Sequence, residues 1–170
     1  RWNDNYDSEH PLLDELLFSL VITENGGEKT LYIPRYLLPG CVTKLDELLS
    51  NCSWRFKPES YYNTVYQYSY EGFLQQETAM AMYAIHGDEE TRKFLKEKSR
   101  KIINRLVKNE DEEKLIAFLK FGLLSERVLD SLFKTAQNRG LTSVTAYILA
   151  EKDKLRKKNK KTKTSTSFRI

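Results

Sequence analysis

From Phe73 to residue 158, apolar positions recur every three or four residues, with interruptions at Gly87, near Asn109, at Gly122 and at Gly140. That period predicts helices separated by short turns. Three segments align: "MYAIHGDEETRKFL" from Met82, "RLVKNEDEEKLIAFL" from Arg105 and "TAQNRGLTSVTAYIL" from Thr135. In each, a helix end meets a small or polar turn, and the next helix carries apolar positions four and eight residues on. Counted from Gly87 these are Thr91 and Leu95; from Asp111, Leu115 and Leu119; from Gly140, Val144 and Ile148. The unit is a helix–turn–helix, with glycine supplying a left-handed turn at no steric cost. Gly140 is therefore expected at positive φ, and Leu119, Val144, Ile148 and Leu149 are expected to be buried between hairpins.

The N-terminal pattern is mixed. Residues 1–10 are polar. After Pro11, Leu12, Leu13, Leu16, Leu17 and Leu20 keep helical spacing, while Phe18, Leu20 and Ile22 also alternate before Asn25-Gly26-Gly27. A short helix running into a β-hairpin satisfies both, with "KTLYIP" as the return strand closing at Pro34. "VTKLDELLSNC", from Val42, predicts a further short helix with Leu45, Leu48 and Leu49 inward. Residues 54–73 concentrate aromatic side chains around a Pro and a Gly and read as a loop packed on the helices that follow.

The quoted hairpins resemble the helical core of ankyrin-type repeats, most closely in "LFKTAQNRGLTSVTAYIL" (Leu132 to Leu149), with "EKLIAFLKFGLL" (Glu113 to Leu124) as the end of another unit. The resemblance covers about residues 78–152 and implies stacked hairpins that bind protein on their exposed side. The chain departs from that family in lacking a Thr-Pro-Leu-His start. Its turns at Gly87, Asp111 and Gly140 stand 24 and 29 residues apart, against about 33 in the family. The expected fold is mainly α: stacked helical hairpins, an ankyrin-like α-solenoid fragment, with an irregular N-terminal region containing a short β-hairpin. The expected organisation is an N-terminal region 1–72, an array 73–158 and a basic solvated tail 159–170.

Composition shifts the picture in two places. The 170 residues have a formal net charge of +4, but residues 151–170 hold nine Lys/Arg against two Asp/Glu. The body is thus slightly acidic and the basicity belongs to the tail. Cys41 and Cys52 lack any metal-ligand spacing and read as buried thiols of a reducing, cytoplasmic compartment; the alternatives are a disulfide or, from Asn51-Cys52-Ser53, a secreted origin. The acidic residues before Leu16 argue against a signal sequence. No run approaches the length of a membrane span. The first residue is Arg1, which leaves open what precedes it.

Candidate chemistry is sparse. His10 lies in the polar start, and His86 ends a helix with no metal-ligand partner in spacing, so a capping or structural role is expected for it. No nucleotide-binding glycine motif and no nucleophile elbow is present. Asp88-Glu89-Glu90 and Asp111-Glu112-Glu113 read as helix starts, where carboxylates favour the positive end of the dipole. We therefore expect no catalytic residues, no cofactor and no metal.

The residues left for function are aromatic and basic. Trp54, Phe56, Tyr61, Tyr62, Tyr66, Tyr68, Tyr70 and Phe73, beside Arg55 and Lys57, form either a cap over the array or a binding surface. The partner-binding candidates are Tyr61, Tyr62, Tyr66, Tyr68, Arg100, Asn104, Asp130, Lys134 and Gln137. Basic residues from Arg92 to Lys108, accompanied only by Glu97, predict two amphipathic helices meeting near Lys98-Ser99 with basic outer sides. The polyanion-binding candidates are Lys93, Lys96, Lys101, Arg156, Lys157 and Lys158. The expected function is non-enzymatic binding of a protein partner or of another region of a longer polypeptide; sequence-independent nucleic-acid binding is the alternative, and no membrane contact is expected.

Overall fold

The computed structural model describes residues 16–24, 27–43, 46, 65–70 and 72–165. It is mainly helical with one small antiparallel sheet. The residues group into two compact units, Arg1–Ile102 and Ile103–Ile170.

In the first unit, strands β1 (Leu17–Glu24) and β2 (Gly27–Pro34) pair antiparallel, with Leu17 opposite Pro34 and Glu24 opposite Gly27. The expected hairpin is present, but Leu17 and Leu20 lie in a strand and not in a preceding helix. Leu20 lies four residues from Leu16, a spacing that a helix and a strand share, whereas Leu17 and Leu20, three apart, share a face only in a helix; pairing with β2 decides for the strand. Leu16, Leu17 and Ile33 are buried, while the Arg35 guanidinium lies 4.1 Å from the Phe18 ring centroid. Beyond the hairpin, Leu37 bridges Ser69: Leu38 N–H donates to Tyr68 O (2.9 Å) and Tyr70 N–H to Tyr36 O (2.7 Å). A short 3-10 turn follows at Pro39–Cys41, and Cys41 is half-buried, not buried. Of the helix predicted from Val42, only Val42, Thr43 and Asp46 are among the described residues; Leu45, Leu48, Leu49, Cys52 and the stretch from Trp54 to Tyr62 lie outside them.

Helix α1 (Val65–Tyr68) buries Val65 and Tyr66 within the stretch expected to be a loop. Helix α2 (Phe73–His86) buries six consecutive residues, Glu77 to Met82. A helix covered on every side carries no sharp amphipathic stripe, which is why Ala79, Met80, Ala81 and Met82 are all fully enclosed. The buried Thr78 hydroxyl donates to Ser69 Oγ at 3.0 Å, so these two polar groups satisfy each other. Gly87 closes α2 at φ 63°.

Helix α3 (Glu89–Lys108) is one continuous helix, not two meeting at Lys98-Ser99. Neither Gly nor Pro stands between Glu89 and Lys108, so nothing there halts propagation. Asp88 caps it, accepting from Thr91 N–H at 2.8 Å.

The second unit contains the end of α3, helix α4 (Glu112–Lys120), helix α5 (Glu126–Arg139) and helix α6 (Thr142–Ser165), with α6 packed on both α4 and α5. Asp111 caps α4 by accepting from Lys114 N–H at 3.0 Å. The break near Asn109 is made by Glu110, at φ 55°, followed by Asp111. The core of this unit includes Leu106, Leu115, Phe118, Leu132, Ala136, Val144 and Ile148. Leu149, expected to be buried, is 48 % exposed. One residue past Ile148 is a turn of about 100° around a helix of 3.6 residues per turn, which takes it off the packed stripe. α6 also continues to Ser165, beyond the expected end at residue 158. The stretch up to Ser165 contains no Gly or Pro, and its lysines are good helix formers.

Gly140 ends α5 at φ 72°, and a Cβ built there would have no heavy atom within 4 Å. The cost of a side chain is therefore conformational and not steric against neighbours. Gly140→Val is expected to lower stability by about 1–2 kcal/mol, and Gly140→Asn by less, because Asn tolerates the left-handed region. Urea titrations followed by circular dichroism would check the order; equal stability of all three chains would contradict it.

Candidate functional site

On α3, Phe94, Lys98 and Lys101 are spaced i, i+4 and i+7 and share one face; Gly72, which precedes α2, and Gln75 and Gln76 in its first turn share another. The two faces line a shallow cleft of about 240 Å³. Its aromatic residue is positioned from behind: Phe94 stacks on the buried Tyr66, with centroids 4.3 Å apart and planes at 29°. Lys98 lies on the otherwise apolar stripe between Leu95 and Ile102, so its stem is partly covered while its Nζ sits 6.0 Å from the Phe94 centroid. No acidic side chain occupies the first turn of α2.

The cleft already has a carboxylate beside it. Lys98 Nζ donates to Glu97 Oε1 at 2.7 Å. That hydrogen bond, the charge of Lys98 and then, more weakly, the charge of Lys101 hold the Glu97 carboxyl below its ordinary pKa.

Next to Gly72, the pairing of residues 36–38 with 68–70 brings Tyr36 and Tyr70 together. Tyr36, Tyr70 and Phe73 are 54 %, 52 % and 53 % exposed. Tyr36 is not among the residues that the sequence singles out, because only the bridge Leu37–Ser69 associates it with the later aromatic stretch.

The other candidates are dispersed. Tyr61 and Tyr62 lie outside the described residues. Tyr66 is buried against Phe94 and so belongs to the packing, and Tyr68 is half-buried, its carbonyl accepting from Leu38 N–H. Arg100, Asn104, Lys134 and Gln137 are exposed. Asp130 is exposed but ion-paired with Lys152, whose Nζ also lies 5.1 Å from the Phe133 ring centroid. Lys93 pairs with Glu90 at 3.4 Å, Lys96 is exposed, and Lys101 lines the cleft. Arg156, Lys157 and Lys158 fall on the helical backbone of α6. His86 is exposed at the end of α2, its ring edge-on to Tyr32 at 5.9 Å. Among the described residues, no three His, Cys, Asp or Glu side chains gather as a metal site, and no helix is long and apolar enough to cross a membrane.

One interaction in the second unit has no sequence signal. Glu112, in the first turn of α4, accepts a hydrogen bond from Val144 N–H at 2.9 Å, in the first turn of α6. A carboxylate on one helix thus caps another whose own preceding residue, Leu141, has no capping group. Glu112→Ala is expected to cost about 1–3 kcal/mol, since it leaves a part-buried N–H without its partner. Glu112→Gln should cost less. Hydrogen exchange at the start of α6 would check this, and unchanged protection there would contradict it.

The chain matches no protein-family model, and neither the curated proteins nor the solved structures contain a match to it.

Proposed function

We propose that this chain is a non-enzymatic domain of stacked, ankyrin-like helical hairpins that binds another protein or another region of a longer polypeptide. The observation that carries the reading is the exposure of Tyr36, Tyr70 and Phe73, which the backbone pairing at Leu37–Ser69 and the chain itself place near Gly72 of the cleft. Aromatic side chains of this kind are the usual anchors of protein interfaces, because they bury large apolar area with few rotatable bonds. The turn-to-stripe pattern of the hairpins supports a repeat architecture, and repeat arrays act through extended surfaces.

The test is capture of a partner by the intact chain with chemical cross-linking, repeated with Tyr36, Tyr70 and Phe73 all changed to Ser. Loss of the captured partner with unchanged circular dichroism supports the reading. Undiminished capture, or turnover in an unbiased hydrolase and transferase screen, overturns it.

The second reading, sequence-independent nucleic-acid binding, is favoured by the continuation of α6 to Ser165, which sets the basic C-terminal residues along a helix. Affinity would then fall with salt at a log–log slope of about 0.9 per phosphate neutralised on duplex DNA. Removal of residues 153–170 should lower both affinity and slope; no binding by the intact chain at low salt would exclude it.

A further inference from the structure

We propose that the cleft between α2 and α3 binds an acidic segment of a partner protein, seating a carboxylate between Lys98 and Lys101 and an apolar side chain against Phe94. The proposal rests on the protein-binding reading and names the chemistry of the partner. The lining is of the right kind: two cations, a half-buried ring, and the amides of Gln75 and Gln76, which can both donate to and accept from an extended peptide backbone.

Glu97 shows what the lysines take. Its side chain is 71 % exposed, yet it bonds Lys98, so a carboxylate of the chain itself already pairs with one of the two cations that line the cleft. An incoming carboxylate that also covers Phe94 gains contact area that Glu97, exposed on the same helix, does not have.

The charge distribution separates an acidic peptide from a nucleic acid. Residues 1–102 hold twelve Lys/Arg against sixteen Asp/Glu. A nucleic acid draws its affinity from many neutralised phosphates, which a net acidic unit does not supply, whereas a short acidic segment needs only the cations of the cleft itself. Two cations lining one small cleft match one or two carboxylates. Phe94 is also covered on one side by Tyr66, leaving room for an aliphatic side chain more than an open stacking platform.

The experiment is fluorescence anisotropy on the full chain with three labelled probes: a short peptide alternating Glu and Leu, its Gln/Leu counterpart, and an oligothymidylate. The Glu/Leu peptide should bind and the Gln/Leu peptide should not. Lys101→Glu should weaken binding about ten-fold or more, whereas Lys120→Glu, the same charge change at an exposed residue outside the cleft, should weaken it less than about two-fold. Glu97→Gln should strengthen binding by roughly three-fold, by releasing Lys98 from its own carboxylate. A gain of affinity cannot come from a folding defect. Equal losses in the two Lys variants, no gain in Glu97→Gln, absence of peptide binding, or oligothymidylate binding that is tighter than peptide binding and is lost in Lys101→Glu would each overturn the proposal. Failure of the cleft is distinguishable from failure of the broader reading. A partner captured by the intact chain, lost in the Tyr36/Tyr70/Phe73 variant and retained by Lys101→Glu, leaves protein binding standing and the cleft refuted; no captured partner and no bound peptide refute both.

Discussion

Phe118→Ala is expected to destabilise the second unit by about 3–5 kcal/mol. Phe118 is fully buried in α4, and its ring meets Phe121 edge-on with centroids 6.0 Å apart and planes at 78°. Truncation removes the transfer free energy of the ring and leaves a cavity that the surrounding helices fill only in part. It also removes an edge-to-face contact of a kind that contributes about 0.5–1.5 kcal/mol beyond burial. Because native domains are stable by only about 5–15 kcal/mol, the variant should unfold at much lower urea concentration. Phe118→Leu, which keeps most of the volume, should fall between. A midpoint for Phe118→Ala within error of the parent would mean that this ring does not anchor the unit.

The features legible in the sequence are those that depend on a few neighbouring residues. Counting four and eight positions from Gly87, Asp111 and Gly140 picks out Thr91, Leu95, Leu115, Leu119, Val144 and Ile148, and all six are buried. A stripe of that spacing has to face other helices, whatever those helices are. Gly87, Gly122 and Gly140 do adopt positive φ, since a helix that stops without a proline commonly does so through one left-handed residue. Asp88 and Asp111 cap the helices that the acidic runs are expected to open, for equally local reasons. The hairpin is legible because Asn25-Gly26 separates two apolar segments by the shortest common connection.

What escapes the sequence involves partners far apart in the chain or a choice between two local solutions. Leu20 fits a helix with Leu16 and a strand with Phe18 and Ile22 alike until β2 supplies the pairing. Tyr36 joins the aromatic group only through the bridge at Leu37 and Ser69, and Glu112 meets Val144 across 32 residues. The cleft leaves one trace. Lys98, three residues after Leu95 and four before Ile102, is a cation on an apolar stripe, and such a position is tolerated only where the charged end can reach solvent. By charge alone it groups with Lys96 and Arg100 on a basic outer side. The junction expected at Lys98-Ser99 rests on that same interruption of the stripe, which marks a cleft and not a helix end.

Adjacent residues in α6 give the most direct test of how that helix is seated. Ile148 is 1 % exposed and Leu149 is 48 % exposed. Ile148→Ala is expected to cost about 2–4 kcal/mol, through lost burial and a cavity among the side chains of the second unit. Leu149→Ala is expected to stay within about 0.5 kcal/mol, because a half-exposed leucine loses little contact and alanine's higher helix propensity offsets part of that loss. The stripe Leu141, Val144 and Ile148, all buried, places residue 149 about 100° further round the helix. A rotation of α6 by one residue would exchange the two costs, so the ratio of the two midpoint shifts in urea reports the rotation directly. A Leu149→Ala variant as unstable as Ile148→Ala would show that both residues are packed in solution, as a stack of hairpins with a further neighbour over α6 would require, and would move the exposed face of that helix away from Leu149.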